Sequence, residues 1–196
     1  MKKEILFSLF DIEDLKDLPD AVMRILEGDL DIRNEVYHEL IRVNGDMSYD
    51  WFQEIYELEL SERKQKKQDF TPNSLGLLCS KLTDQAGSIH EPTAGNGSMI
   101  IADWWQRCSK KIPWEHFPSQ NMVTCWELSA RSIPILLLNL SIRGMMGYVY
   151  HGDVLTKDVK QKYILLNNKD DTLAFSEIYK VGINDKIDSY DTGRSI

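Results

Sequence analysis

The chain has 196 residues, 42% of them hydrophobic, and a formal net charge of −8 at neutral pH. This length suits one domain, or a compact domain with a helical extension, and the apolar content is sufficient for a real core. The acidic balance argues against a protein that grips nucleic acid unaided, and no apolar stretch has the length of a membrane span or the form of a secretory signal.

Residues 1–60 are predicted to form an N-terminal helical region. Ile5, Leu6, Leu9, Ile12 and Leu15 recur at helical spacing, then Val22, Ile25 and Leu26, then Ile32, Val36, Leu40 and Val43, until Asn44-Gly45 breaks the pattern. Trp51, Ile55 and Leu58 suggest another short helix, with Trp51 and Phe52 as core aromatics. Residues 61–69 read as a charged linker. They hold the one basic cluster, Arg63-Lys64-Gln65-Lys66-Lys67, either a solvated connection or a phosphate contact.

Residues 70–187 alternate between helix and strand, and residues 188–196 read as a flexible tail. Helices are predicted over Asn73–Asp84, Ser98–Lys110 and Ser129–Arg143, and strands over Ser88–Glu91, Met122–Leu128, Gly147–His151 and Lys162–Leu166. Such alternation implies a mainly parallel sheet with helices on its faces and ligands at the carboxyl ends of the strands. Leu173, Phe175, Ile178, Tyr179 and Val181 predict a short covering helix or a self-associating surface. The cysteines (Cys79, Cys108, Cys125) are odd in number and scattered, which fits a reducing cytoplasm, with Cys79 and Cys125 as small buried hydrophobes. The four histidines show no paired ligand spacing, so no metal site is predicted.

The most informative stretch is Ile89-His90-Glu91-Pro92-Thr93-Ala94-Gly95-Asn96-Gly97-Ser98. A strand ends in an acid, turns tightly through two glycines and feeds a helix N-terminus, where glycine lets backbone approach a ligand and free N–H groups receive polar atoms. A phosphate-binding loop would need a lysine after Gly97, and none follows. A dinucleotide fingerprint prefers a third glycine, but Ile100 stands there. A nucleoside with an uncharged linker, such as S-adenosylmethionine, needs neither. It needs the close-approach glycines, an acid ending the second strand for the ribose hydroxyls, and a polar group ending the third for the adenine amine. Glu127 and Asp153 occupy those places; each taken singly is an ordinary strand-end acid.

In that order the motifs resemble the adenine-specific (N6) DNA methyltransferases, above all the modification subunits of type I restriction-modification systems. Gln68-Asp69-Phe70-Thr71-Pro72 is similar to the element preceding their catalytic domain. Glu91-Pro92-Thr93-Ala94-Gly95-Asn96-Gly97 matches Asp-Pro-x-x-Gly-x-Gly with Glu for Asp. Trp126-Glu127-Leu128-Ser129, Leu136-Leu137-Leu138-Asn139-Leu140 and His151-Gly152-Asp153-Val154-Leu155 resemble the elements that follow, and the likeness spans Gln68 to Leu166. The resemblance implies a Rossmann-like S-adenosylmethionine-dependent methyltransferase fold, its mainly parallel sheet truncated, with an N-terminal helical extension. It also implies that Phe70, Thr71 and Pro72 flank the methionine end of the cofactor. Glu91, Pro92, Ala94, Gly95, Asn96 and Gly97 would form the cradle, with Glu127 on the ribose and Asp153 on the adenine.

The family's catalytic element, Asp/Asn-Pro-Pro-Tyr/Phe at the end of the fourth strand, holds and stacks a flipped adenine. Here that strand ends Asn167-Asn168-Lys169-Asp170, so Asn167 alone matches, and no proline follows Pro134. The expectation is a chain carrying the cofactor half of the fold without most of the base-binding half. It would bind S-adenosylmethionine, reach DNA through a partner protein such as a methyltransferase or specificity subunit, and be open to self-association as a homo-oligomer. The alternative is a non-catalytic regulator, or an anti-restriction or assembly protein, acting on such a partner.

Overall fold

The computed structural model describes residues 3–53, 55, 73–83 and 86–182. The charged linker, the basic cluster, Phe70, Thr71, Pro72 and the predicted tail therefore lie outside the described residues. The opening helices follow from local sequence. Helix α1 (Lys3–Phe10) buries Leu6 and Phe10, one turn apart on one face. Helix α2 (Leu18–Leu26) takes Pro19 in its first turn, where the missing N–H costs nothing, and buries Ala21, Val22 and Leu26.

Helix α3 (Leu30–Asn44) is capped by Asp29, whose carboxylate accepts from the Asp31 and Ile32 amides at 2.9 and 3.2 Å. It stops where Gly45 takes a left-handed φ of +67°. Its inward stripe is Arg33, Val36, Tyr37 and Leu40. Ile32, expected on that stripe, is exposed, because Arg33 packs inward with its guanidinium 5.5 Å from the Tyr37 ring centre. Trp51 and Phe52 are core residues as expected, and Gln53 and Ile55 are helical.

The rest is an α/β unit built on a five-stranded sheet in the order β1-β2-β3-β4-β5. Helix α4 (Asn73–Thr83) packs on α5 (Ser98–Cys108), which connects β1 (Ile89–Glu91) to β2 (Val123–Glu127). Helix α6 (Ser132–Ser141) connects β2 to β3 (Gly147–Asp153). These first strands are parallel, with Glu91 beside Cys125 and Glu127 beside His151. Both crossovers step the same way, so the right-handed rule puts α5 and α6 on one face. Ile89, Val123, Cys125, Val149, Tyr163 and Leu165 fill that face. The other face carries half-buried Thr124, Trp126, Tyr148 and Tyr150, with Trp126 stacked on Tyr150 at 4.7 Å.

The second part of the sheet differs from the sequence expectation. Strand β4 (Asp158–Leu166) runs antiparallel to β3, and β5 (Glu177–Val181) runs antiparallel to β4. The sheet is thus mixed, not mainly parallel throughout. The reason is the connection: only residues 154–157 join β3 to β4, and a parallel return needs a crossover of a dozen residues or more. Residues 177–181, expected to help form a covering helix, are a strand; their apolar positions satisfy both periods, and pairing with β4 decides. All three cysteines are free, Cys125 buried and Cys79 only half-buried. Among the described residues no helix is long and apolar enough to cross a membrane.

All ten residues of α6 are buried. A helix apolar all round must be covered all round. The sheet covers one side, and α2 packs on the helix from the N-terminal region. From that same region the Tyr37 hydroxyl hydrogen-bonds Ser141 and the Arg143 guanidinium donates to the Met47 and Tyr49 carbonyls at 3.0 and 2.7 Å.

Candidate functional site

Parallel direction over β1–β3 brings three acids to one edge: Glu91, Glu127 and Asp153 each end a strand. The chain after β1 folds back over β2, where the Ala94 amide donates to the Trp126 carbonyl at 2.8 Å. Pro92 and Thr93 lie in the first bend, with the Thr93 amide donating to the Glu91 carboxylate at 3.1 Å. Glu127 then ties the turn to the sheet. One of its oxygens accepts from the Gly95 amide and the other from the Ser129 amide, both at 2.7 Å. Asp153 accepts from the Leu155 amide at 2.8 Å and caps the β3–β4 connection. The three carboxylates therefore also serve their own loops.

The two glycines do different work. Gly95 has a φ of +56°, and a Cβ built there would meet nothing within 4 Å. Gly97 has a φ of +94°, and its Cβ would lie 2.9 Å from the Leu136 side chain. Gly95 thus faces open space, where a ligand can approach the backbone, while Gly97 lets α5 start close against α6. Asn96 between them is buried, and neither polar atom of its side chain has a hydrogen-bond partner. The first amides of α5 have no partner within the helix and point toward this edge.

His151 joins the site although its sequence position suggested no role. It sits directly across from Glu127 on β3, half-buried, with Nε2 unpartnered. Burial, reinforced by Lys160, holds its imidazole below the ordinary histidine pKa, against the opposing pull of the Leu128 backbone and Glu127. The available signal was register: it is the residue that a parallel β3 places beside the end of β2. Cys125, one turn of the pleat below, is fully buried. Burial, then Glu91 and Glu127, push its thiol far above the usual range.

None of the known protein families, curated proteins or solved structures with which the chain was compared matches it. The site is therefore read from its own geometry.

Asn167 is not part of this edge. Because β4 runs antiparallel, its last residues lie beside the start of β3: Leu165 pairs with Gly147, whereas Asp158 pairs with Asp153. Asn167 is thus at the opposite end of the sheet from Glu127, separated by the length of a seven-residue strand. It is buried, and its amide donates to the Gly144, Asp171 and Ala174 carbonyls at 3.0, 2.8 and 3.2 Å. The Asp171 amide returns a long bond to its oxygen. Asn167 therefore staples a loop. Asp170, also in the degenerate motif, holds the Ser119 amide and hydroxyl at 2.8 and 2.7 Å.

On the other side of β1 no strand pairs with it among the described residues, and a cavity of about 310 Å³ lies there, lined in part by His90, Glu91, Asp103 and Arg107. Within it Arg107 pairs with Asp103 at 2.7 Å.

Proposed function

We propose that this chain is an S-adenosylmethionine-binding protein of the N6-adenine DNA methyltransferase type, one that holds cofactor without itself presenting a base. The observation that carries the reading is the anchored turn. Gly95, left-handed and facing open space where a side chain would stand, is tied to Glu127, the acid ending the next parallel strand. A carboxylate oxygen has room for a second donor, so Glu127 can take ribose hydroxyls while still holding Gly95. Asp153 and His151 at the end of β3 offer an acceptor and a neutral imidazole to the adenine edge. The bound cofactor would supply an electrophilic sulfonium methyl.

The placement of Asn167 favours action through a partner over independent catalysis. A base held there would be a strand length away from the cradle, and methyl transfer requires the reacting atoms to be within about 3–3.5 Å. A methyltransferase or specificity subunit would supply the base-binding groups and the grip on DNA, or would itself be the target of regulation.

Titration calorimetry with S-adenosylmethionine tests the cofactor reading. The wild type is expected to give saturable heat. Gly95→Asn places a side chain in the open space while tolerating the left-handed backbone, and should abolish the heat. Glu127→Gln should weaken binding by roughly ten- to a hundredfold, the worth of a hydrogen bond to a charged group. No heat from the wild type sinks the reading. Transfer of labelled methyl to adenine in DNA by the isolated chain would instead restore independent catalysis.

A further inference from the structure

We propose that Asp50 is a positioning residue for the glycine turn, so that the N-terminal helical region sets the shape of the binding edge from behind. This deepens the function proposed above and rests on the turn being its binding element.

Asp50 belongs to the segment after α3 and is fully buried, 46 positions from Asn96 and 89 from Asn139 in the chain. One carboxylate oxygen accepts from the Phe52 amide and from the Asn139 side chain, both at 2.9 Å. The other accepts a long bond of 3.4 Å from the Ser98 hydroxyl, in the first turn of α5. The same Asn139 nitrogen donates to the Asn96 carbonyl at 2.9 Å, inside the glycine turn. Arg143 fixes which way that amide faces by donating to the Asn139 oxygen at 3.1 Å, and it stacks over Trp51 at 5.0 Å. The links through Asn139 are thus directed hydrogen bonds between buried groups, and the one through Ser98 is part-buried.

Two features make this more than core packing. Gly95 and Gly97 both sit in left-handed backbone, so the turn is flanked by residues with no side chain to hold it, and its restraint must come from elsewhere. Besides the backbone bond from Ala94 to Trp126, side chains restrain it from two sides: Glu127 from the sheet and the Asp50–Asn139 pair from the helices. Glu127 is the anchor a ligand would share, whereas Asp50–Asn139 is a side-chain anchor that serves the turn alone. Second, burying a carboxylate is costly unless donors converge on it, and an apolar residue would pack there without that demand. The buried Asn96 side chain lies beside Asp50, so the carboxylate borders the turn through its side chain as well as through its carbonyl.

Amide hydrogen exchange on the full chain, without ligand, tests this directly. Asp50→Ser keeps an oxygen for the Phe52 amide but cannot reach Asn139. It is expected to speed exchange of the hydrogen-bonded Gly97 and Ile101 amides, which donate to the Ala94 and Gly97 carbonyls at 2.8 and 2.9 Å, at least tenfold while amides of β2 and β3 stay within twofold. Asp50→Asn keeps an acceptor for both Phe52 and Asn139 and should return the turn to within threefold of wild type. Unchanged exchange at the turn in Asp50→Ser overturns the proposal. So does equal acceleration in β2 and β3, or a failure of both variants to fold, since Asp50 would then serve the fold as a whole. Titration with S-adenosylhomocysteine separates the two readings. A wild type that binds none defeats the cofactor proposal and leaves the exchange result standing. If it binds, Asp50→Ser should weaken affinity about tenfold more than Asp50→Asn.

Discussion

The two ends of the sheet are built from similar residues and do opposite things. At the carboxyl end of β1–β3, Glu91, Glu127 and Asp153 hold backbone amides of their own loops yet stand beside a left-handed glycine that faces open space. At the other end, Asn167 also follows a strand, but its amide is spent on three carbonyls and the chain closes over it. Strand direction makes the difference. Parallel strands deliver their ends to one edge, with helix N-termini above it, whereas an antiparallel return carries its last residue away to a loop-packed edge.

The largest test strikes the frame that both ends share. Gly147 starts β3 with a φ of +147°, and a Cβ there would lie 1.8 Å from the Val123 carbonyl oxygen. Gly147→Ala should cost about 4 kcal/mol or more, seen as loss of the cooperative thermal transition. Next, Asn167→Ala should cost about 2–3 kcal/mol by leaving buried carbonyls unpaired. Its cofactor heat should match wild type once folding is allowed for; lost heat would erase the distinction between the two ends. Gly95→Ala should cost only about 1–2 kcal/mol, for left-handed backbone without a clash, and circular dichroism melts should rank the three in that order.

The smallest effect is pH-dependent. His116 is buried at the Asn167 end, its Nδ1 unpartnered and its Nε2 3.5 Å from the Cys108 sulfur. Burial, with Lys111 and Arg107 adding to it, lowers its pKa below the ordinary 6.5, against a weaker pull from Asp170. The unfolded chain therefore binds the proton first. The stability His116 contributes is fully present above pH 6.5 and falls as pH drops from 6.5 through the lowered folded value. His151 acts in the same sense at the other end. Melting temperature should decline from pH 7.5 to 5.5, and His116→Gln should flatten the slope; an unchanged slope would assign the decline to other groups.

The carboxyl edge was legible because its parts follow chain order. A glycine turn after a short strand, an acid ending the next and another ending the third can be read without knowing which way later strands run. The direction of β4 was not read from Lys162–Leu166, because an alternating strand has the same pattern in either direction. The usable clue was Val154-Leu155-Thr156-Lys157, too short for a crossover, with Lys157 in a left-handed turn conformation at φ +59°. Missing it placed Asn167 beside a cradle it never reaches. Asp50 was missed for a different reason. In Ser48-Tyr49-Asp50-Trp51 it reads as a polar turn residue, and its role depends on partners in α5 and α6 that no local pattern encodes.

The buried α6 helix has a consequence for taking the molecule apart. Residues 1–60 and the α/β unit read as separate segments, yet α6 is the common wall of both, roofed on one side by strands and on the other by helices drawn from the start of the chain. A boundary drawn through the charged linker would strip that wall, expose a leucine-rich surface and leave Asn139, Ser141 and Arg143 without the groups that satisfy them. Neither piece is a module that could be lent to another protein; recombination or design must move the two together.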